Sequence, residues 1–398
     1  MSRFSRFFDL ARKQYLKLCA KFLKAEKLDL LIFGARNGNY YMDNSRALFE
    51  WYLSHRPSQK VMWLTKSRSV YDELRMKKIP VAMMDTIEGL KAAHQAKLGF
   101  YTNRALDLVL YEDLLPKDLK LVFLSHGQSV KNSRLTVKKG INNRFKNDIV
   151  NTGKQVYKAV TSSPWMASIQ AKSQGLDEDK YLAVGFPRND WMFNIPDRDR
   201  MIWNRFIDGH LYDKVVLYAP TWRMHGEPTK IFPFDDFDPE SLASFLAEHR
   251  ILLLLRPHIK ELHLTHNLKT VNTLMQASSN VRLATVEEFF DANALLPFVD
   301  LLISDYSSIY HDFLLLDRPV AFIPYDFHQF DAENGFKYPY FEYLPGPSMY
   351  DQKDLISVLT DLIRNKDPFA QSRNTLRNKL YAHLDGNACE RLASILTP

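Results

Sequence analysis

Short, nearly continuous apolar runs recur along the chain, separated by helical or turn-like stretches. The first series is Leu28 to Phe33, Val61 to Leu64, Pro80 to Met84, Leu98 to Thr102 and Leu119 to Leu124. Runs of this kind predict parallel strands covered on both faces, and their alternation with helices predicts an α/β domain. A second series at Tyr181 to Gly185, Lys214 to Tyr218, Ile251 to Leu255, Val281 to Ala284, Leu301 to Ile303 and Val320 to Ile323 predicts another. Ser163-Pro164 breaks the pattern before a further helix, which places the change of domain between Ser163 and Lys180. The expected spans are 28–165 and 177–348, with helices over 349–398 packing back across both.

Residues 1–27 follow a different period. Phe4, Phe8, Ala11, Tyr15, Leu18 and Phe22 fall on one helical stripe, with Arg6, Lys13, Lys17, Lys21 and Lys24 on the other side. Two uses are open to such an amphipathic helix: lying in a membrane interface with cations toward anionic headgroups, or packing on a core with a solvated basic face. No apolar stretch is long enough to span a bilayer, and charges occupy the place of a secretory signal's apolar region. The length of 398 residues implies two or three domains, and the composition excludes disorder. An excess of 53 Lys and Arg over 46 Asp and Glu suits polyanionic substrates, anionic lipid or nucleic acid without choosing among them. Cys19 and Cys389 stand alone at opposite ends, so neither a disulfide framework nor a cysteine zinc site is supported.

Ligands of open α/β sheets bind beyond the carboxyl ends of strands. The junction Leu301 to Phe313 is the most informative of these, because Asp305, Ser307 and Ser308 crowd a helix start after a buried strand. Free backbone amides there can hold a phosphate or pyrophosphate; equally, Ser307 or Asp305 can cap the helix. Other strand ends carry Ser125-His126-Gly127 with Lys131 beyond, Ala219-Pro220-Thr221-Trp222-Arg223, and Arg256-Pro257-His258. A neutral His126 imidazole suits removal of a proton from an attacking hydroxyl, and Gly127 allows close backbone approach. Arg223 and Arg256 offer planar forks for phosphate oxygens, or for ion pairs. His258, fixed by Pro257, suits charge stabilisation on a departing phosphate. The spacing of His258, His263 and His266 matches no common zinc motif, and no metal is expected. The chain lacks a P-loop, a G-x-G-x-x-G after its first strand and a G-x-S-x-G elbow, which disfavours nucleotidase, dinucleotide and serine-hydrolase chemistry. What remains is transfer chemistry on an activated phosphate diester or sugar nucleotide.

The strand-end motifs occur in a specific order with Tyr41-Met42-Asp43-Asn44-Ser45, Leu48-Phe49-Glu50, Gly185-Phe186-Pro187-Arg188-Asn189-Asp190, Ser304-Asp305-Tyr306-Ser307-Ser308, Leu344-Pro345-Gly346-Pro347 and Asp385-Gly386-Asn387-Ala388-Cys389-Glu390-Arg391. In this the chain resembles the CDP-glycerol glycerophosphotransferases that build teichoic acids and related glycerol-phosphate capsules, over nearly all its length after the N-terminal helix. The resemblance implies two Rossmann-like domains facing across a cleft (GT-B type), with the acceptor mainly on the first and CDP-glycerol on the second. It implies His126 as general base, His258 as the essential donor-site histidine, and Ser307 and Ser308 on the donor pyrophosphate with Arg223 nearby. Arg256, Asp305 and Asp312 fall on the donor side, and Gly127, Gln128 and Lys131 on the acceptor side.

Many members read His-Gly-Thr-Pro-Leu-Lys where this chain has His126-Gly127-Gln128-Ser129-Val130-Lys131, and many have proline at Ile259, so the acceptor is left open. The implied reaction is attack by a hydroxyl of a lipid-linked or polymeric acceptor on the β-phosphorus of CDP-glycerol, with release of CMP and no cofactor. The implied setting is cytoplasmic, peripheral on the inner face of the cell membrane, without nucleic acid. Three alternatives stand beside it: a CDP-ribitol or other CDP-polyol transferase, a UDP-sugar GT-B enzyme, whose usual Glu-Gly-rich motif is absent, and a non-catalytic scaffold.

Overall fold

The computed structural model describes residues 3–23, 26–138, 146, 149–150, 153–223, 228–258 and 265–397. Lys24, Ile259, His263 and the side chains of Phe4, Arg6 and His266 lie outside the described residues. The chain forms two units, one made of Met1–Gly127, Asn143–Asp190 and Asn387–Pro398, the other of Gln128–Asn142 and Trp191–Gly386.

The first unit holds a seven-stranded parallel sheet of β1 (Leu30–Phe33), β2 (Lys60–Thr65), β3 (Val81–Met83), β4 (Leu98–Tyr101), β5 (Lys120–Phe123), β6 (Val156–Thr161) and β7 (Tyr181–Ala183), in the order β3-β2-β1-β4-β5-β6-β7. Successive side chains serve opposite faces, as a strand's period of two requires. Thus Leu31 and Phe33 enter one core with Trp63 and Val122, while Ile32 enters the other with Leu64 and Leu121. Phe33 stacks on Phe100 with centroids 4.7 Å apart. The second unit holds a five-stranded parallel sheet of β8 (Lys214–Tyr218), β9 (Ile251–Leu255), β10 (Val281–Leu283), β11 (Leu301–Ser304) and β12 (Val320–Phe322), in the order β10-β9-β8-β11-β12.

Two expectations need correction. The sequence reading passes over β6, whose Tyr157 is exposed and whose Lys158 interrupts the apolar run. It also gives Tyr181 to Gly185 to the second domain, whereas β7 pairs with β6 in the first sheet, Ala159 opposite Tyr181. The helix Pro164–Gln174, N-capped by Ser163, is the crossover between these two strands and not a link between domains. The units therefore meet in sequence at Asp190 and Trp191.

The C-terminal helices divide between the units. Gln352–Ile363 places Leu355, Leu359 and Leu362 in the second core, whereas Ala388–Leu396 places Cys389, Leu392 and Ala393 in the first. The amides at the start of Ala388–Leu396 lack intrahelical partners, and the Asp190 carboxylate accepts from both Ala388 and Cys389 at 2.8 Å.

The N-terminal helix Arg3–Phe22 packs through Leu16, with Cys19, Ala20 and Leu23 against the same core. The aromatic stripe is therefore not its packing face: Phe8, Tyr15, Leu18 and Phe22 are 64%, 54%, 56% and 78% exposed. Nor is its basic side wholly solvated, because Lys13 and Lys17 both pair with Asp113. Among the described residues no helix is long and apolar enough to cross a membrane.

In the second unit, the chain after Gly346 runs along β12, with Phe322 N–H donating to the Pro347 carbonyl at 2.9 Å and Met349 N–H to that of Phe322 at 2.7 Å. A Cβ at Gly346 would collide with the Val320 carbonyl, so the Pro345-Gly346-Pro347 turn requires glycine for close approach. Gly346→Ala is expected to lower stability by about 1–3 kcal/mol, as overpacking does, read as a lower urea midpoint with unchanged slope.

Candidate active site

In the first unit β5 ends at Phe123, and the chain then turns sharply, with Ser125 at φ +57° and Gly127 at φ +103°. A left-handed non-glycine residue needs outside support. Asn44 supplies it: its fully buried amide donates to the carbonyls of Leu124 at 3.2 Å and Ser125 at 2.9 Å. Its own oxygen accepts from the Arg188 backbone at 3.0 Å. Arg188 in turn pairs with buried Asp43 at 3.1 Å, so the motifs around Tyr41 and Gly185 meet behind the His126 loop. His126 stands exposed at its tip. Sequence reading quoted Asn44 and Arg188 only as family signposts, since Asn44 lies 80 positions from the loop it holds and 144 from Arg188, and neither link has a local signal.

In the second unit the ends of β8, β11 and β12 converge on Arg223. Its Nη1 donates to Asp305 at 2.8 Å and to the Thr221 carbonyl at 2.6 Å, while Nε and Nη2 engage Asp326 at 2.7 and 2.9 Å. Tyr306, Tyr325 and Phe330 surround the guanidinium with ring centroids at 5.1, 5.6 and 5.1 Å. Burial opposes its charge, but Asp305 and Asp326 more than offset this and push its pKa further up. Asp305 accepts, besides, the amides of Thr221 at 2.8 Å and Tyr306 at 2.6 Å. The strand-end arginine expected on the donor phosphates thus forms the internal brace of the turn that carries Ser307 and Ser308.

Ser308, at the N-cap position of the short helix Ile309–Phe313, makes no capping bond. Asp312 is buried and accepts from Asn293 at 3.3 Å. Arg256 is likewise turned inward, donating to the carbonyls of Ala284 at 2.7 Å, Thr285 at 3.2 Å and Phe289 at 2.7 Å, and burial lowers its pKa. His258 is exposed and stacks on Trp222, centroids 5.1 Å apart at 21°, a partner that the strand-end motif contained but that had been given no role.

Gln128 and Lys131 were expected on the acceptor side but belong to the second unit. Lys131 bridges Phe336 in antiparallel fashion, flanked by Asn132 N–H to Gly335 at 3.0 Å and Lys337 N–H to Val130 at 2.8 Å. The backbone of Gln128 also interacts with His311, which is fully buried, sits 2.6 Å from the Tyr338 hydroxyl through Nε2, and is held neutral by burial with its pKa down to about 3. Nothing in the local sequence announces this long-range pairing. Among the described residues no group of His, Cys, Asp and Glu is arranged to hold a metal.

The sequence profile of the CDP-Glycerol:Poly(glycerophosphate) glycerophosphotransferase family matches residues 17–397. The chain belongs to this family. The reaction read from the sequence, transfer of glycerol phosphate from CDP-glycerol, is the family's reaction. The chain is 25% identical over 386 residues to the teichoic acid glycerol-phosphate transferase of Staphylococcus aureus, covering 94% of each. It is 27% identical over 249 residues to the teichoic acid poly(ribitol-phosphate) polymerase of Bacillus spizizenii, covering 59% of this chain but only 36% of that one. Its fold matches that of the wall teichoic acid polymerase TagF with a TM-score of 0.77 at 20% identity, over 99% of this chain and 95% of that one.

The inward geometry of Arg223 sets an expectation for its removal. Arg223→Ala leaves two carboxylates without their partner, so it is expected to cost about 3–5 kcal/mol of stability. Chemical unfolding checks this; a variant with wild-type stability and only weaker donor binding would place the arginine on the ligand instead.

Proposed function

We propose that the second unit binds the CDP-polyol donor and that His126 activates the acceptor hydroxyl. The observation that supports this most is the convergence at the carboxyl ends of three adjacent strands: Trp222 and His258 follow β8 and β9, and Asp305, Ser307 and Ser308 follow β11. In the proposed reaction the acceptor oxygen bonds to the β-phosphorus of CDP-glycerol, its proton passes to His126, and the bond to CMP breaks. His258, oriented by its stack on Trp222, and the amides of the Ser307–Ser308 turn meet charge developing on the phosphates. Asp305 and Arg223 hold that turn in place, and Asp312 supports the helix behind it. CDP-ribitol is the second reading, favoured by the similarity to the poly(ribitol-phosphate) polymerase.

Calorimetry with CDP-glycerol, CDP-ribitol and a UDP-sugar tests the donor assignment, and equal affinity for all three would remove it. His126→Ala is expected to abolish transfer while CDP-glycerol still binds, whereas His258→Ala is expected to weaken donor use itself. Near wild-type turnover by folded His126→Ala would end the general-base assignment.

The acceptor is proposed to be lipid-linked, with the protein on the cytosolic membrane surface. Phe8, Tyr15, Leu18 and Phe22 supply an exposed apolar stripe, and Lys21 lies exposed beside it for anionic headgroups. Because Leu16 anchors the helix in the core, changing the exposed stripe tests this more cleanly than deleting the segment. Replacement of Phe8, Tyr15, Leu18 and Phe22 by serine is expected to abolish flotation with anionic liposomes and to reduce activity on lipid-linked acceptor more than on a soluble analogue. Unchanged flotation would count against membrane docking through this helix.

A further inference from the structure

The strand order of the first unit reverses at its centre. From β1 the chain passes to β2 and β3 on one side, then returns to lay β4 against the other side of β1 and continues outward through β5, β6 and β7. Loops that leave neighbouring strands in opposite directions open a crevice, and ligands of open α/β sheets bind at such a point. Here the loop after β1 carries Arg36 and Asn37, and the loop after β4 carries Thr102 and Asn103. One buried carboxylate fixes both: Asp107 accepts the backbone amides of Asn37 at 2.5 Å, Thr102 at 2.9 Å and Asn103 at 2.8 Å. Arg36, Asn37 and Gly38 turn in succession through left-handed backbone, at φ +51°, +55° and +73°, a conformation that persists only where the surroundings hold it.

Within this frame the Arg36 guanidinium is poorly answered. Its Nη2 lies 3.5 Å from Asp43, too far for a strong hydrogen bond, and its Nε is buried without an acceptor. Arg188 holds the other Asp43 oxygen at 3.1 Å, so two arginines share one carboxylate, while the oxygens of Asp107 are taken by amides. The Arg188 side chain is 10% exposed and that of Arg36 is 41% exposed. A phosphodiester supplies both the missing acceptor and the missing negative charge, and a guanidinium fork fits two of its oxygens. The same contacts lead to His126. Asn44, next to Asp43 in the chain, donates to the carbonyls of Leu124 and Ser125 just before it. Only β4 separates β1 from β5, so their ends lie about 10 Å apart, two strand spacings. A long arginine side chain and one polyol-phosphate unit together bridge that gap.

We propose that Arg36 receives the acceptor's phosphate. A polyol-phosphate chain lies in the crevice between the β1 and β4 loops, with the phosphodiester next to its terminal unit on the Arg36 guanidinium and its free hydroxyl at His126. This deepens the acceptor-side reading of His126 and rests on it for which hydroxyl is attacked; binding of the phosphodiester does not depend on it.

The probes are a short glycerol-phosphate oligomer and CDP-glycerol, titrated separately by calorimetry into the full chain. Arg36→Gln is expected to weaken the oligomer about tenfold, the loss typical of a charged hydrogen bond, and to leave CDP-glycerol unchanged. In transfer assays the KM for the oligomer is expected to rise by the same factor while kcat at saturation holds. A purely structural Arg36 gives the opposite split: its removal loosens Asp43 and, through Asn44, the His126 loop, so kcat and the urea midpoint fall while KM stays. The wild type supplies a check that needs no variant to fold. Phenylglyoxal modifies accessible guanidinium groups, and the oligomer, unlike CDP-glycerol, is expected to slow its reaction at Arg36, read from peptide masses. The subsite is overturned if folded Arg36→Gln binds the oligomer as the wild type does, if it loses CDP-glycerol affinity in parallel, or if the oligomer leaves the modification of Arg36 unchanged. If the oligomer binds through Arg36 but folded His126→Ala keeps its turnover, the general-base reading falls and the subsite stands.

Discussion

The second unit is organised around one buried guanidinium held between two carboxylates. Arg223 follows β8, Asp305 follows β11 and Asp326 follows β12, so a single charged group ties together loops from three strands. An interaction of this kind is weak support for stability as such, because each charge has given up water; what it secures is geometry, since displacing any one of the three loops leaves a buried charge without its partner. The aromatic rings of Tyr306, Tyr325 and Phe330 keep competing solvent away. Ser307 and Ser308 therefore sit on a turn whose shape is fixed before any ligand arrives, which is the condition for electrostatic catalysis by positioned dipoles.

The first unit solves the same problem with a neutral group. Asn44 can donate and accept at once, so one amide links the carbonyls before His126 to the backbone of Arg188. Left-handed backbone at Ser125 and Asp43 flanks this amide, and the strain is balanced by bonds that reach across the unit as well as by local ones, from the Ser125 hydroxyl to Gly127 and from the Asn44 backbone N–H to Asp43. An exposed histidine on a braced loop keeps access to solvent while losing the freedom to wander.

Most strands were legible because a buried parallel strand leaves a dense local signature. β6 escaped because Tyr157 and Lys158 dilute it, and β7 was given to the wrong sheet because sheet membership is settled by register with a partner, here Ala159 against Tyr181. The candidate site was legible as a set of strand ends, but the direction of each side chain was not. An arginine after a strand reads the same whether a phosphate or an aspartate awaits it, and Asp326 lies 103 residues from Arg223. For Gln128 and Lys131, likewise, the partners lie around Phe336, too far along the chain for any local pattern to reveal. In the N-terminal helix the period disclosed an apolar stripe, yet Leu16, outside that stripe, is the residue that packs.

The division of the chain also bears on how the protein is made. Val184 and Phe186 share a core with Cys389, Leu392 and Ala393, and Asp190 bonds the amides of Ala388 and Cys389. All of the second unit from Trp191 to Gly386 is translated between these partners. At about 5–20 residues per second the interval is on the order of tens of seconds, long compared with collapse of the nascent sheet. During that time the first unit lacks the helix that covers Val184 and Phe186 and whose amides donate to the Asp190 carboxylate. The native packing of the first unit therefore waits on synthesis of the helix Ala388–Leu396, almost the whole of the second unit after its partners.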